Sequence, residues 1–205
     1  MRWLTAVLLC GLAAAVPAET IRVCYNYGCA AEAEVRYSEL QLAQVRALLG
    51  SATDPADERA RLALAVGWLL GWAGEQTPIA ADRGGNQADD GVFGRMDCID
   101  HATTTTRLLR LLEERHWLRF HQVTQPVLRV RYLLAMHFSA QIEEVVPPVA
   151  APAEAAGPDR FVVDSWFRDN GQPAVVLALT DWLDGAGEEE SAQGTVVASG
   201  PVDGP

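Results

Sequence analysis

Cys98 is the residue of this chain best placed to do covalent chemistry. It stands in Arg95-Met96-Asp97-Cys98-Ile99-Asp100-His101, where a loop gives way to a segment of helical periodicity. A sulfur at a helix start meets unpaired backbone N–H groups and the positive end of the helix dipole, which stabilise a thiolate. The same N–H groups stabilise the oxyanion formed when that thiolate attacks a carbonyl. Such a nucleophile still needs a base within hydrogen-bond reach and a third group to orient that base. The histidines are His101, His116, His121 and His137. His101 is one helical turn from Cys98, which leaves little room for a substrate between them. His116 and His121 lie among arginines near the helix exit. His137 sits in Met136-His137-Phe138-Ser139-Ala140-Gln141-Ile142, where alternation puts His137, Ser139 and Gln141 on one strand face.

Asp164 singles out His137. In Phe161-Val162-Val163-Asp164-Ser165-Trp166-Phe167 a carboxylate follows three apolar strand residues and precedes two aromatics. A carboxylate near the end of a buried strand is costly unless it is paired. If the strands of His137 and Asp164 are neighbours, Asp164 accepts the imidazole N–H, and Cys98, His137 and Asp164 form a triad by role.

These residues resemble a family. Arg95-Met96-Asp97-Cys98-Ile99-Asp100-His101-Ala102, followed by Leu108-Leu109-Arg110-Leu111-Leu112, looks like the nucleophile helix of the transglutaminase-like superfamily, nearest the bacterial transglutaminase-like cysteine proteinases. His137 and Asp164 fall at the matching base and orienter positions, and the resemblance covers about residues 60 to 170. It implies a papain-type core, a peptidase or amidase acting through a thioester, a protein or peptide substrate, and calcium bound by acidic residues beside the cysteine. Here those residues are Asp97 and Asp100, with Asp89 and Asp90 as further candidates. Calcium takes six to eight oxygens, so two carboxylates are only a start. The second oxyanion donor is sought in Asn86, Gln87 or Gln76. A zinc site from Cys98, Asp100 and His101 fails on tetrahedral geometry, and a serine hydrolase lacks its G-x-S-x-G elbow.

The elements that must hold this set are legible in part. Ser38 with Gln41 caps a helix over Tyr37 to Leu49, ahead of Gly50. Asp54-Pro55 opens a second helix, running through Trp72 and apolar almost all round. A loop of turn residues spans Gly74 to Met96, and a third helix runs from Cys98 to Glu114. After Trp117 the period becomes two, with strands expected over Trp117 to Thr124, Val127 to Leu134, Ala135 to Ile142, Phe161 to Phe167 and Ala174 to Leu179. Trp68, Trp72, Trp166 and Trp182, four of the six tryptophans, read as packing. Helices first and antiparallel strands second give an α+β domain over 19–184, with N-terminal helices packed on the sheet.

Composition narrows the function classes. All 16 basic residues are arginine, and 27 acidic residues bring the net charge to −11. Without lysine there is no Schiff base, Ser-Lys dyad or Walker loop, and an acidic chain without a basic block is no nucleic-acid binder. Arg2, the apolar run Trp3 to Val16 and Val16-Pro17-Ala18 read as a signal peptide over 1–18, too short to span a bilayer. A periplasmic or secreted protein follows, with a disordered tail over 185–205. Of four cysteines Cys10 leaves with the leader, Cys24 and Cys29 can meet across Gly28, and Cys98 is left over, reactive or bridged. Beside the hydrolase stand two rivals, a non-catalytic binding module of the same fold and a structural protein in which Cys98 pairs with Cys24 or Cys29.

Overall fold

The computed structural model describes residues 19–85, 88–145 and 159–187. The expected leader at 1–18, Asn86 and Gln87, the loop at 146–158 and the tail from 188 onward lie outside the described residues. The architecture is α+β, with helices packed on antiparallel sheet.

The chain opens with a hairpin, β1 (Glu19–Tyr25) and β2 (Ala31–Tyr37), paired in register from Glu19 opposite Tyr37 to Tyr25 opposite Ala31. Helix α1 (Glu39–Gly50) begins at Ser38, whose hydroxyl accepts from Gln41 N–H while the Gln41 side chain reaches back to the Ser38 N–H. Helix α2 (Pro55–Gly74) begins at Asp54, with Pro55 in the first turn. The expected loop that follows contains one 3₁₀ turn, Pro78–Ala81. Helix α3 (Cys98–Glu114) starts at the sulfur-bearing residue itself, capped by Asp97. Its run of threonines is held by packing: Thr104 and Thr105 are buried.

The main sheet comprises β3 (His121–Val123), β4 (Val127–Arg131), β5 (Ala135–Glu144), β6 (Arg160–Asp164) and β7 (Val175–Ala178), all antiparallel, in the order β3-β5-β6-β7 with β4 also on β5. The strands are shorter than the alternation predicts except β5, which extends to Glu144. A short helix α4 (Leu179–Leu183) closes the described chain where strand was expected to Leu179. The principal core joins Leu42, Leu62, Val66, Leu69, Leu108, Leu112 and Ile142, contributed by α1, α2, α3 and β5.

Helix α2 approaches the segment before β7 through Gly67. A Cβ built there would lie 2.8 Å from the Gln172 carbonyl oxygen and 3.0 Å from Pro173 N, both backbone atoms. Alanine improves helix propensity by about 1 kcal/mol, but overpacking against an unyielding backbone costs about 1–3 kcal/mol. Gly67→Ala therefore lowers the urea midpoint without changing the denaturant slope, the opposite of an exposed Gly-to-Ala change in a helix.

Candidate active site

The site is assembled from three places. Cys98 is the first residue of α3, free and half-buried. His137 comes from β5 and Asp164 ends β6, and these two strands are hydrogen-bonded neighbours in the sheet. His137 Nε2 lies 2.8 Å from Asp164 Oδ2, and His137 also hydrogen-bonds the Cys98 side chain. With Nε2 engaged by Asp164, Nδ1 is the nitrogen that faces the sulfur. Cys98 packs against the cluster of Val162, Trp166, Phe167, Val175 and Trp182.

Those aromatics wall the imidazole. The His137 ring centroid lies 4.8 Å from Trp166, 5.3 Å from Phe167 and 5.6 Å from Trp182. Burial favours the neutral ring and is the largest single effect on it. The hydrogen bonds and charges of Asp164 and Cys98 together outweigh burial and push His137 up to about 9. Asp164 itself is fixed by two further donors, since Trp182 Nε1–H donates to Oδ2 at 2.9 Å and Trp166 N–H to Oδ1 at 3.2 Å. Trp182 is thus both packing, as the sequence implied, and a hydrogen-bond donor to Asp164. No local pattern signals the second role.

The acidic residues beside Cys98 are engaged by protein donors. Asp97 Oδ1 accepts from Ile99 and Asp100 N–H at 3.0 and 2.9 Å, and its Oδ2 from Gly28 N–H at 2.9 Å. Asp100, fully buried, accepts at Oδ1 from Cys29 N–H at 2.5 Å and at Oδ2 from Tyr27 N–H at 2.8 Å and Asp97 N–H at 3.2 Å. Burial holds the Asp100 carboxyl above its usual value against those donors. Asp89 is taken by the Tyr27 hydroxyl and by Arg95 at 3.0 Å. Carboxylates ringed by N–H and guanidinium do not fit a calcium cage, which needs their lone pairs turned toward one point. Cys24, Cys29 and Asp100 bring ligand atoms within 4.8 Å of one another, but the two sulfurs are bonded as a disulfide. That bond also sets aside the reading in which Cys98 pairs with either of them.

The other predicted residues go elsewhere. Gln76, in the turn just past α2, bonds the backbone of Arg36 on β2 and the Trp72 carbonyl in the last turn of α2. Arg107 pairs with Glu32 at 2.8 Å. His101 is buried under the site, with Nε2 at 2.9 Å from Asp82 Oδ2 and Nδ1 at 2.8 Å from Ser165 Oγ. Asp82 also accepts Met96 N–H at 2.8 Å. This network bolts the segment entering α3 to the residue after Asp164, and the pairing of His101 with Asp82 was not anticipated. No helix among the described residues is long and apolar enough to cross a membrane. Comparison with protein-family models, curated proteins and solved structures returned no match.

Proposed function

We propose that the chain is an exported cysteine hydrolase, a peptidase or amidase with a transglutaminase-like, papain-type core. The observation that carries this reading is His137, hydrogen-bonded at once to Asp164 and to the sulfur of Cys98 at a helix start. In this reading the Cys98 proton resides on His137, and the thiolate attacks the amide carbonyl carbon. The oxyanion takes the Cys98 N–H, one of the donors a helix leaves without an internal acceptor. The imidazolium then gives its proton to the departing amine as the C–N bond breaks, leaving a thioester. Neutral His137 removes a proton from water, hydroxide adds to the thioester, and the acid leaves as Cys98 is restored. Asp164 keeps the imidazole oriented throughout. The disulfide between Cys24 and Cys29 agrees with an oxidising compartment.

Alkylation tests the reading against a non-catalytic module of the same shape. Iodoacetamide labels Cys98 at pH 6 at least ~10-fold faster than it labels glutathione, because His137 beside the sulfur is there to take its proton and glutathione has no such base. In His137→Ala that excess disappears. Labelling of the native protein no faster than glutathione rejects the enzyme.

A further inference from the structure

The first turn of α3 is held by an unusual piece of β-hairpin. Between β1 and β2, Asn26, Tyr27, Gly28 and Cys29 have φ of 66, 65, 62 and 55°. L-residues other than glycine are strained there, and a run of them occurs only where the surroundings enforce it. Two things enforce it here. The Cys24–Cys29 disulfide closes the loop over a sequence separation of 5. The N–H groups of Tyr27, Gly28 and Cys29 point together at the Asp100 and Asp97 carboxylates, an anion-receiving concavity of successive amides. The same turn holds the chain entering Cys98: Asn26 N–H donates to Arg95 O at 2.7 Å, and Asn26 Oδ1 accepts Gly94 N–H at 2.8 Å. Asp97 and Asp100 are in turn the capping box of α3. The position of Cys98 is thus tied, through two carboxylates, to a strained turn that the disulfide keeps shut.

We propose that this turn is the positioning element of Cys98 and that its disulfide is a redox control of the site, opened by a dithiol. The inference rests on the reading of Cys98 as the nucleophile. A thiolate of the dithiol attacks Cys29 Sγ, the less buried sulfur, forming a mixed disulfide as the Cys24–Cys29 bond breaks. Cys24 departs as a thiolate 3.5 Å from Arg107 Nη1 and 3.5 Å from Glu32 Oε1, so the cation stabilises it against the neighbouring carboxylate, which Arg107 also pairs. The second thiol of the reagent displaces Cys29, leaving a cyclic disulfide and, after proton uptake, two protein thiols. Two electrons pass from the dithiol to the bridge. Freed of its closure, the turn relaxes from the left-handed region and its N–H groups leave Asp97 and Asp100. The first turn of α3 then frays and Cys98 loses its set toward His137. The rest of the helix stays anchored by His101 on Asp82 and Ser165.

The test uses the full folded chain. It is treated with dithiothreitol and EDTA, desalted without oxygen, and labelled with iodoacetamide, with Cys98 followed by peptide mass. Oxidised protein labels at least ~10-fold faster than glutathione. Reduced protein and Cys24→Ser/Cys29→Ser fall to within about threefold of glutathione, a thiol without ion pairing. Amide exchange at Ile99 to His101 rises while far-UV circular dichroism holds, and reoxidation restores the rate. Equal labelling before and after reduction overturns the redox control and leaves the nucleophile standing. Slow labelling of the oxidised protein removes the nucleophile, and the control with it. If the double variant does not fold, the reversible reduction of the wild-type chain decides. Loss of its circular dichroism signal overturns the proposal, because the bridge then holds the fold rather than the site.

Discussion

In the proposed hydrolase, Asp164→Asn lowers turnover of an amide substrate by about 10³- to 10⁴-fold, the size of effect seen when a triad carboxylate is neutralised in place. The geometry makes this change severe although it conserves shape. Asp164 receives three N–H donors: His137 Nε2 and Trp182 Nε1 at one oxygen, Trp166 N at the other. Asparagine has a single acceptor oxygen. If that oxygen faces His137 and Trp182, its amide N–H₂ confronts the Trp166 N–H. If it turns the other way, the N–H₂ meets the Trp182 indole and forces His137 Nε2 to accept, which moves the ring proton to the nitrogen facing the sulfur. Either outcome removes the charge that, with Cys98, outweighs burial and lifts His137 to about 9.

The pH dependence has a definite sign. A histidine raised in the folded state stabilises the fold fully below its unfolded value of about 6.5, and that contribution is lost as pH rises through the folded value. The contribution of His137 itself is therefore lost between about pH 6.5 and 9, and in the variant that contribution is much smaller over the same span. Melting curves at both pH values, with the His137 ring followed by proton NMR, check this. A His137 titration unmoved by Asp164→Asn would sink the assignment of Asp164 as orienter.

How much of this was legible depended on whether the physics was local. The caps at Ser38 and Asp54 are local, and α1 and α2 begin beside them. The pairing of His137 with Asp164 followed from a non-local inference that the sequence supports unusually well, because a carboxylate set in apolar strand announces its need for a partner. The β1–β2 hairpin was legible only as a reversal at Gly28 that lets Cys24 and Cys29 meet, not as two paired strands. Its turn carries one glycine among four left-handed residues and so shows none of the Asn-Gly or Gly-Gly signature that hairpins display. The calcium expectation failed for a related reason: Asp97 and Asp100 look like free ligands until the hairpin amides that occupy them are known. His101 and Trp182 reveal their bonds to Asp82, Ser165 and Asp164 only once the loop and strand ends meet in space.

Glu58→Gln lowers stability by about 2–3 kcal/mol at pH 7, the scale of hydrogen bonds made to a buried charged group. Glu58 is fully buried in the first turns of α2. Its Oε1 accepts Arg119 N–H at 2.6 Å, and its Oε2 accepts Phe120 N–H at 3.0 Å and His121 Nδ1–H at 2.7 Å. Arg59 extends the set, with Nη1 at 3.2 Å from His121 Nε2, an ion pair to Glu144 and its guanidinium 3.8 Å over the Phe161 ring. Glutamine brings a donor where only acceptors fit, in a pocket with no water-facing escape. Burial, the largest single effect, would raise the Glu58 carboxyl, but His121 and the two backbone donors together hold it below its usual value. A depressed carboxylate stabilises the fold above its unfolded value of about 4.3, and that contribution is lost as pH falls through the lower folded value. The gap between wild type and variant is therefore widest at neutral pH and narrows below about pH 4, which urea unfolding at pH 7 and pH 3.5 measures. A difference under about 1 kcal/mol at pH 7 would show that the pair's desolvation cost cancels its bonds. Because Glu58 shares no hydrogen bond with Cys98, His137 or Asp164, the folded fraction of Glu58→Gln should label at Cys98 as fast as wild type. Fold and site would then be separable, with the buried network around Glu58 serving only the first.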